Sequence, residues 1–374
     1  MRLPCAWLLA LVSSASARSA SPSPPSPPST SPSSWRRVEL HIHLDGSQDA
    51  ETLLVIAQRR NLSLPLAGGG GTRVPRSAAE IADLLAATTP AWHRFDVVND
   101  IVGGDAAAVR FAAEAFADRQ RASEVRYTEV RYDPVRLQSS AYAPGDALTG
   151  DAVVAAVAAG LRARTDVVVH QILCAMRGST TAACADVAAL AARSAGRAPG
   201  GVVGLDLAGD ELRYDNAAYV SCFVDAGALG LRRTAHVGEG FGNLSSESSD
   251  MYSALATMGV DRVGHGYAAG QNGTLNATLV GLLRSRGVHL ETCPNAALRE
   301  EALQPGVFRS IAAFREAGLD IGLNTDDPAT YFGNCSLASV EDIAREQLGF
   351  TDADITAAYD RACAAAFGEC PPRS

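Results

Sequence analysis

Short apolar runs recur along the chain from Val38 onward, separated by longer stretches that are amphipathic or rich in alanine. The pattern predicts strands at Val38–Leu44, Val125–Tyr132, Val167–Met176, Val202–Leu207, Arg233–Val237, Arg262–His265, His289–Thr292 and Ile321–Asn324. Helix-like segments lie between them, among them Ala106–Gln120, Ala147–Arg164, Thr181–Arg193, Thr274–Arg286 and Val307–Ala317. Strands separated by helices need parallel pairing with crossover connections. Eight such units make an α/β fold of the TIM (β/α)8 barrel type. The interval from Asp49 to Arg121 exceeds one crossover, so extra helices between strands one and two are expected over the barrel mouth.

Ahead of the barrel the pattern changes. Arg2, the apolar run Leu3–Val12 broken only by Pro4, and Ala15-Ser16-Ala17 read as a cleavable signal peptide over residues 1–17. The run is too short to cross a bilayer, and no later run is long enough. Residues 18–34 are dominated by Ser and Pro and read as an extended linker; one barrel domain follows over 35–374, with order beginning near Trp35. Gly68 to Gly71 reads as a loop. Sequons at Asn61, Asn243, Asn272, Asn276 and Asn334 support export. The expected location is secreted, or the lumen of a compartment such as the lysosome. Removal of Cys5 with the signal leaves seven cysteines and no C-x-x-C pair, so a cysteine zinc cage is not expected. One or two disulfides fit an oxidising compartment, in pairings the sequence leaves open; the odd count requires a free thiol unless one pairs between chains.

Charge narrows the chemistry. The net charge is −9, and all 32 basic residues are arginine. With no lysine there is no Schiff-base amine and no Walker lysine. An acidic surface argues against nucleic acid as partner.

The polar residues of interest fall at predicted strand ends, the face where barrel active sites are built. His41 and His43 alternate with Leu40, Ile42 and Leu44, so both imidazoles share one strand face. His236 ends the fifth strand and Glu239 follows three residues later, a possible metal ligand beside a carboxyl free to carry a proton; helix capping near Ser246 is the plainer alternative for Glu239. His265 stands between two glycines, with room for a substrate or, alternatively, as an exposed turn residue. Asp326 and Asp327 are adjacent carboxylates at the end of an apolar strand, costly unless a cation neutralises one. Three histidines and one aspartate from strands one, five and eight suit the N and O preference of zinc. His93, His170 and His289 have no such neighbours and are expected to be structural or surface residues.

This constellation resembles the adenosine deaminase family of metal-dependent hydrolases. The likeness runs from about Val38 to about Phe367 and rests on VELHIHLDGS, YTEVRYDP, ILCAMR, VVGLDLAGDE, AHVGE, RVGHGY and LNTDDP. It implies one Zn2+ per chain on His41, His43, His236 and Asp326. Glu239 would protonate purine N1, and His265 would orient and help deprotonate the zinc-activated water. Asp327 would meet N7, the Gly209 N–H would meet N3, and Asp45 would bind the ribose 5′-hydroxyl. The implied reaction turns adenosine, and 2′-deoxyadenosine, into the inosine product and ammonia. The implied partner is a small nucleoside, and the expected state is a monomer, because the N-terminal dimerisation region of the growth-factor-like branch is not seen. Two departures stand out: no serine follows Pro294 by two residues, and Arg37 occupies the usual lysine position. Alternatives are a deaminase of another 6-aminopurine, such as N6-methyl-AMP, and a non-catalytic secreted adenosine-binding or signalling protein. The filled ligand and proton-transfer positions weigh against the latter.

Overall fold

The computed structural model describes residues 36–66, 71–239, 250–301, 305–330 and 335–373. The expected signal peptide and linker, Trp35, Gly68 to Gly70, the sequons Asn243 and Asn334, and the helix start near Ser246 lie outside the described residues.

Eight strands pair in sequence order and in parallel: β1 (Arg37–His43), β2 (Val125–Tyr132), β3 (Val168–Met176), β4 (Val202–Ala208), β5 (Arg232–Val237), β6 (Arg262–His265), β7 (His289–Thr292) and β8 (Ile321–Leu323). The barrel closes just past β8. The His43 N–H donates to the Asp326 carbonyl at 3.0 Å, and the Asp326 N–H donates to the His41 carbonyl at 3.1 Å. The eighth strand therefore ends before the expected Asn324, and Asp326 makes the seam with φ +64°.

Four helices fill the long first interval: α1 (Ala50–Arg59), α2 (Ala78–Ala87), α3 (His93–Val102) and α4 (Ala106–Ala122). Further helices alternate with the later strands: α5 (Gly150–Leu161), α6 (Thr181–Arg193), α7 (Val220–Ala228), α8 (Ala277–Arg286), α9 (Pro294–Glu300) and α10 (Val307–Glu316). Two more, α11 (Leu337–Leu348) and α12 (Asp352–Ala365), complete the wall, and α12 packs over the seam against β1 and β8. Caps account for where helices start later than periodicity suggests. Thr149 accepts from the Ala152 N–H, so α5 starts at Gly150 rather than Ala147; Asn276 accepts from the Thr278 and Leu279 N–H groups, so α8 starts at Ala277.

Aliphatic residues such as Leu40, Ile42, Val130 and Leu205 are fully or almost fully buried in the apolar core. The barrel interior differs from a branched-aliphatic filling. Glu129, Arg131, Asp206, Thr234, Arg262 and Glu291 are fully buried and bond to one another across the lumen.

Disulfides join Cys184 to Cys222, stapling α6 to α7, and Cys363 to Cys370, looping the segment after α12; Cys174 and Cys293 are free and buried. The sequons at Asn61, Asn272 and Asn276 are exposed. Among the described residues no helix is long and apolar enough to cross a membrane.

Candidate active site

The strand ends of one barrel face converge as their spacing predicts. One nitrogen each from His41, His43 and His236 and one oxygen from Asp326 all lie within 4.8 Å of one another. His43 Nε2 is 3.1 Å from His236 Nε2, and Asp326 Oδ1 is 3.4 Å from His41 Nε2 and 3.5 Å from His43 Nε2. His41 and His43 reach this point from alternate positions of β1, His236 from the end of β5, and Asp326 from the seam. Asp326 adopts a left-handed backbone that a non-glycine residue keeps only when its surroundings enforce it.

The tautomers are fixed from behind. His41 Nδ1 donates to Glu291 Oε2 at 2.8 Å, and His236 Nδ1 donates to Asp206 Oδ2 at 3.0 Å. Each ring therefore turns a bare Nε2 lone pair toward the centre. His41 Nε2 is buried and makes no hydrogen bond. Burial, with the positive charge a protonated His236 would add, holds His43 well below the ordinary imidazole range; burial lowers His236 as well. Burial opposes charge on His41 too, but the Asp326 and Glu291 carboxylates leave it raised, so its Nε2 attracts a cation. Nitrogens converging from three imidazoles beside a carboxylate are a donor set for a divalent cation, and the residues present fit a metal of borderline softness.

Glu291 and Asp206 are in turn tied down. Arg131 Nη2 donates to Glu291 Oε2 at 2.6 Å and Arg131 Nη1 to Asp206 Oδ2 at 3.3 Å. The Thr234 hydroxyl and Arg262 Nε bond to Glu291 Oε1 at 3.0 and 2.7 Å. Arg131, Asp206 and Arg262 lie in segments that carry the family resemblance, yet nothing in the sequence assigned them or Glu291 a role. The available signal was an acid on the inward register of a strand, Asp206 between Leu205 and Leu207 and Glu291 after Leu290.

Glu239 and His265 sit beside the cluster, His265 Nε2 lying 3.9 Å from Glu239 Oε2. His265 is buried rather than exposed and also has positive φ, +63°. The Tyr267 hydroxyl donates to the Cys293 carbonyl at 3.1 Å, leaving its oxygen to accept from His265 Nδ1 at 3.4 Å. That leaves Nε2 of His265 as a base. Burial, then the nearby His41, holds His265 well below the usual range. Burial and the Asp326, Glu211 and Glu300 carboxylates hold Glu239 well above its own, which favours its protonated form.

Asp327 follows Asp326, and burial with Asp326 and Asp45 nearby raises it strongly. A Cβ on Gly46 would fall 1.9 Å from Asp327 Oδ1, so the bare backbone of Gly46 is what admits that carboxyl. Asp45 lies in the turn just after β1; its carboxylate accepts from the Gly46 N–H at 3.0 Å and from Asn99 Nδ2 at 2.8 Å. Gly209 follows β4 on the same rim with φ +103° but is outside the cluster itself. The remaining histidines are structural or surface residues as expected: His93 is exposed and bonds Asp96, while His170 and His289 are buried at the starts of β3 and β7.

A closed parallel barrel with a His/Asp donor set at its strand ends, and a carboxyl of raised pKa beside it, has the parts of a metal-dependent hydrolase. The model of the adenosine deaminase family matches residues 36–373, and the chain belongs to that family. It is 29% identical to bovine adenosine deaminase over 335 residues, covering 84% of this chain and 85% of that one. It is 30% identical to the adenosine deaminase of Xenopus tropicalis over 329 residues, covering 84% and 86%. Among solved structures the fold matches a zinc-bound amidohydrolase from Burkholderia ambifaria with TM-score 0.72 at 21% identity, covering 90% of this chain and 86% of that one. It also matches the N6-mAMP deaminase of Arabidopsis with TM-score 0.69 at 22% identity, covering 90% and 95%.

Proposed function

We propose that the protein is a zinc-dependent adenosine deaminase that hydrolyses adenosine and 2′-deoxyadenosine to inosine and 2′-deoxyinosine with release of ammonia. The observation that carries this reading is the set His41, His43, His236 and Asp326 within 4.8 Å, with Glu239, its pKa raised by burial, beside His265. Family membership and the curated relatives named adenosine deaminase support the substrate class.

In this reading His41, His43, His236 and Asp326 hold the zinc. Zinc, when bound, acts as a Lewis acid that makes water a usable nucleophile near neutral pH. The chain's own groups then divide the work. Purine N1, N3 and N7 are all acceptors. Glu239, kept protonated, donates to N1 and gives the ring electrons somewhere to go as C6 is attacked. Asp327, its carboxyl pushed toward the protonated form by burial and by Asp326, is the group assigned to N7. The Gly209 N–H serves N3. Neutral His265 orients the attacking water and takes its proton through Nε2. Asp45 accepts from the 5′-hydroxyl, and its charge disfavours a 5′-phosphate. No group in this set reads the 2′ position, which is why deoxyadenosine is included.

Two further points belong to the same proposal. The Arg2-to-Ala17 segment, the sequons and disulfides such as Cys184–Cys222 and Cys363–Cys370 favour a secreted or luminal protein. Residues 35–374 form the catalytic domain.

The deciding experiment is initial velocity on adenosine, deoxyadenosine, AMP, N6-methyl-AMP and adenine, with zinc and with chelator. Adenosine and deoxyadenosine should turn over in a zinc-dependent way, and Glu239→Gln should keep the metal yet lose at least ~100-fold in kcat. Preference for N6-methyl-AMP, or unchanged turnover in Glu239→Gln, would overturn the assignment.

A further inference from the structure

The barrel holds a second construction at its opposite end. The chain leaving α12 turns under the barrel and is looped by the Cys363–Cys370 disulfide. Inside that loop the Phe367 and Gly368 N–H groups donate to Glu129 Oε1 at 2.6 and 3.1 Å. The centroid of the half-buried Phe367 ring lies 3.6 Å from the guanidinium carbon of the buried Arg262, a cation–π contact. That ring fits because β4 carries glycine there: a Cβ on Gly204 would come within 2.6 Å of it. The Ala365 carbonyl accepts from Arg262 Nη1 at 3.2 Å.

From this plug a line of buried charges runs up the barrel. Glu129 Oε2 pairs with Arg262 Nη1 at 2.7 Å; Arg262 Nε donates to Glu291 Oε1 at 2.7 Å; Glu291 Oε2 accepts from His41 Nδ1 at 2.8 Å. All four side chains are fully buried or nearly so. In a water-free interior each charge depends on the next for its orientation, because no solvent can replace a lost partner. Removing the plug would strip Glu129 of two backbone donors and Arg262 of an aromatic face and a carbonyl. Arg262 would then re-pair, and Glu291, still held by Arg131 and Thr234, would lose one of the three donors that keep it aimed at His41.

We propose that the C-terminal plug, through Phe367, Glu129, Arg262 and Glu291, positions His41 and thereby sets the metal affinity of a site at the far end of the barrel. These are positioning residues; none touches substrate. The inference rests on the metal-site reading above. It makes the Cys363–Cys370 bond part of metal retention and not only of fold stability.

The test is zinc affinity of the full-length protein by competition with a chromogenic chelator, read beside the far-UV spectrum and turnover at rising zinc. Phe367→Ala should weaken zinc binding by about 10–100-fold, the usual effect of losing support behind a ligand. Its fold should be retained, and excess zinc should restore its kcat. Cys363→Ser with Cys370→Ser removes no core atom and should weaken binding in the same direction; it also decides the matter should Phe367→Ala not fold. Zinc affinity within about twofold of the parent in a folded variant, well short of that effect, would overturn the inference while leaving the metal site intact. A parent chain that binds no zinc would instead overturn the metal-site reading on which it rests.

Discussion

Asn99 Nδ2 donates to Asp45 Oδ2 at 2.8 Å, so α3, a helix of the long insertion, grips a carboxylate just after β1. Asn99 is itself buried. The insertion thus reaches the site as a brace on the residue assigned to the 5′ end of the substrate.

Cutting that brace gives the first prediction. In Asn99→Ala the Asp45 carboxylate keeps only the Gly46 N–H and can rotate. Loss of a hydrogen bond to a buried charged group is worth about 1–3 kcal/mol, so KM for adenosine should rise about tenfold. KM for 5′-deoxyadenosine, which has no hydroxyl to offer, should stay nearly constant. Equal losses on both substrates would remove Asn99 and Asp45 from 5′ recognition.

Gly46→Ala tests the cradle around Asp327. The new Cβ would sit 1.9 Å from Asp327 Oδ1 and 2.9 Å from the Asp327 Cα, so the carboxyl must leave its place. A displacement of about 1 Å near the chemistry typically costs ~100-fold, and kcat/KM should fall by at least that much. Metal content, measured on the same sample, should change far less if Asp327 is no ligand.

Asp133 yields a pH prediction. Burial raises its carboxyl from the ordinary 3.8 to about 6, against the Val135 and Arg136 N–H groups that lower it. A raised folded-state value means folding favours the protonated form. That stability is whole below about pH 3.8 and is lost as pH rises through about 6, a loss on the order of 3 kcal/mol. Asp133→Asn keeps an acceptor for the Val135 N–H, now 2.8 Å from the side chain, and removes the charge. Thermal melts should show the variant more stable than the parent at pH 7.5, with the gain narrowing toward pH 5. A gain that grows on acidification would contradict the burial argument.

Metal removal should be felt in the wall of the barrel. Zinc at about 100 times its dissociation constant would add about 2.7 kcal/mol to the folded state. For a chain of this length that corresponds to a melting temperature higher by roughly 3–5 °C than in chelator, readable by calorimetry. Identical melts with zinc and with chelator would argue that the cluster binds no ion.

Much of this architecture was legible from the chain. Period-two spacing put His41 and His43 on one strand face, and the strand-end rule brought His236, His265 and Asp326 to them. The extra helices after β1 followed from the length of the interval alone. Other features were hidden because they depend on depth and partners, which spacing does not carry. Arg131 and Arg262 look like ordinary strand arginines until the closed barrel turns them inward. Asn99 gave no signal, since its partner is 54 positions away and on another element. The end of β8 moved because Asp326 adopts a left-handed backbone that no strand pattern foretells.

Asp326 makes the last backbone rungs of the wall with its main chain and offers its carboxylate to the histidines with its side chain. The two duties are separable: the rungs belong to the main chain and would survive in any residue that accepts φ +64°, such as asparagine or glycine. A descendant that abandoned the chemistry could therefore shut the staves with one of those and forfeit only the ligand.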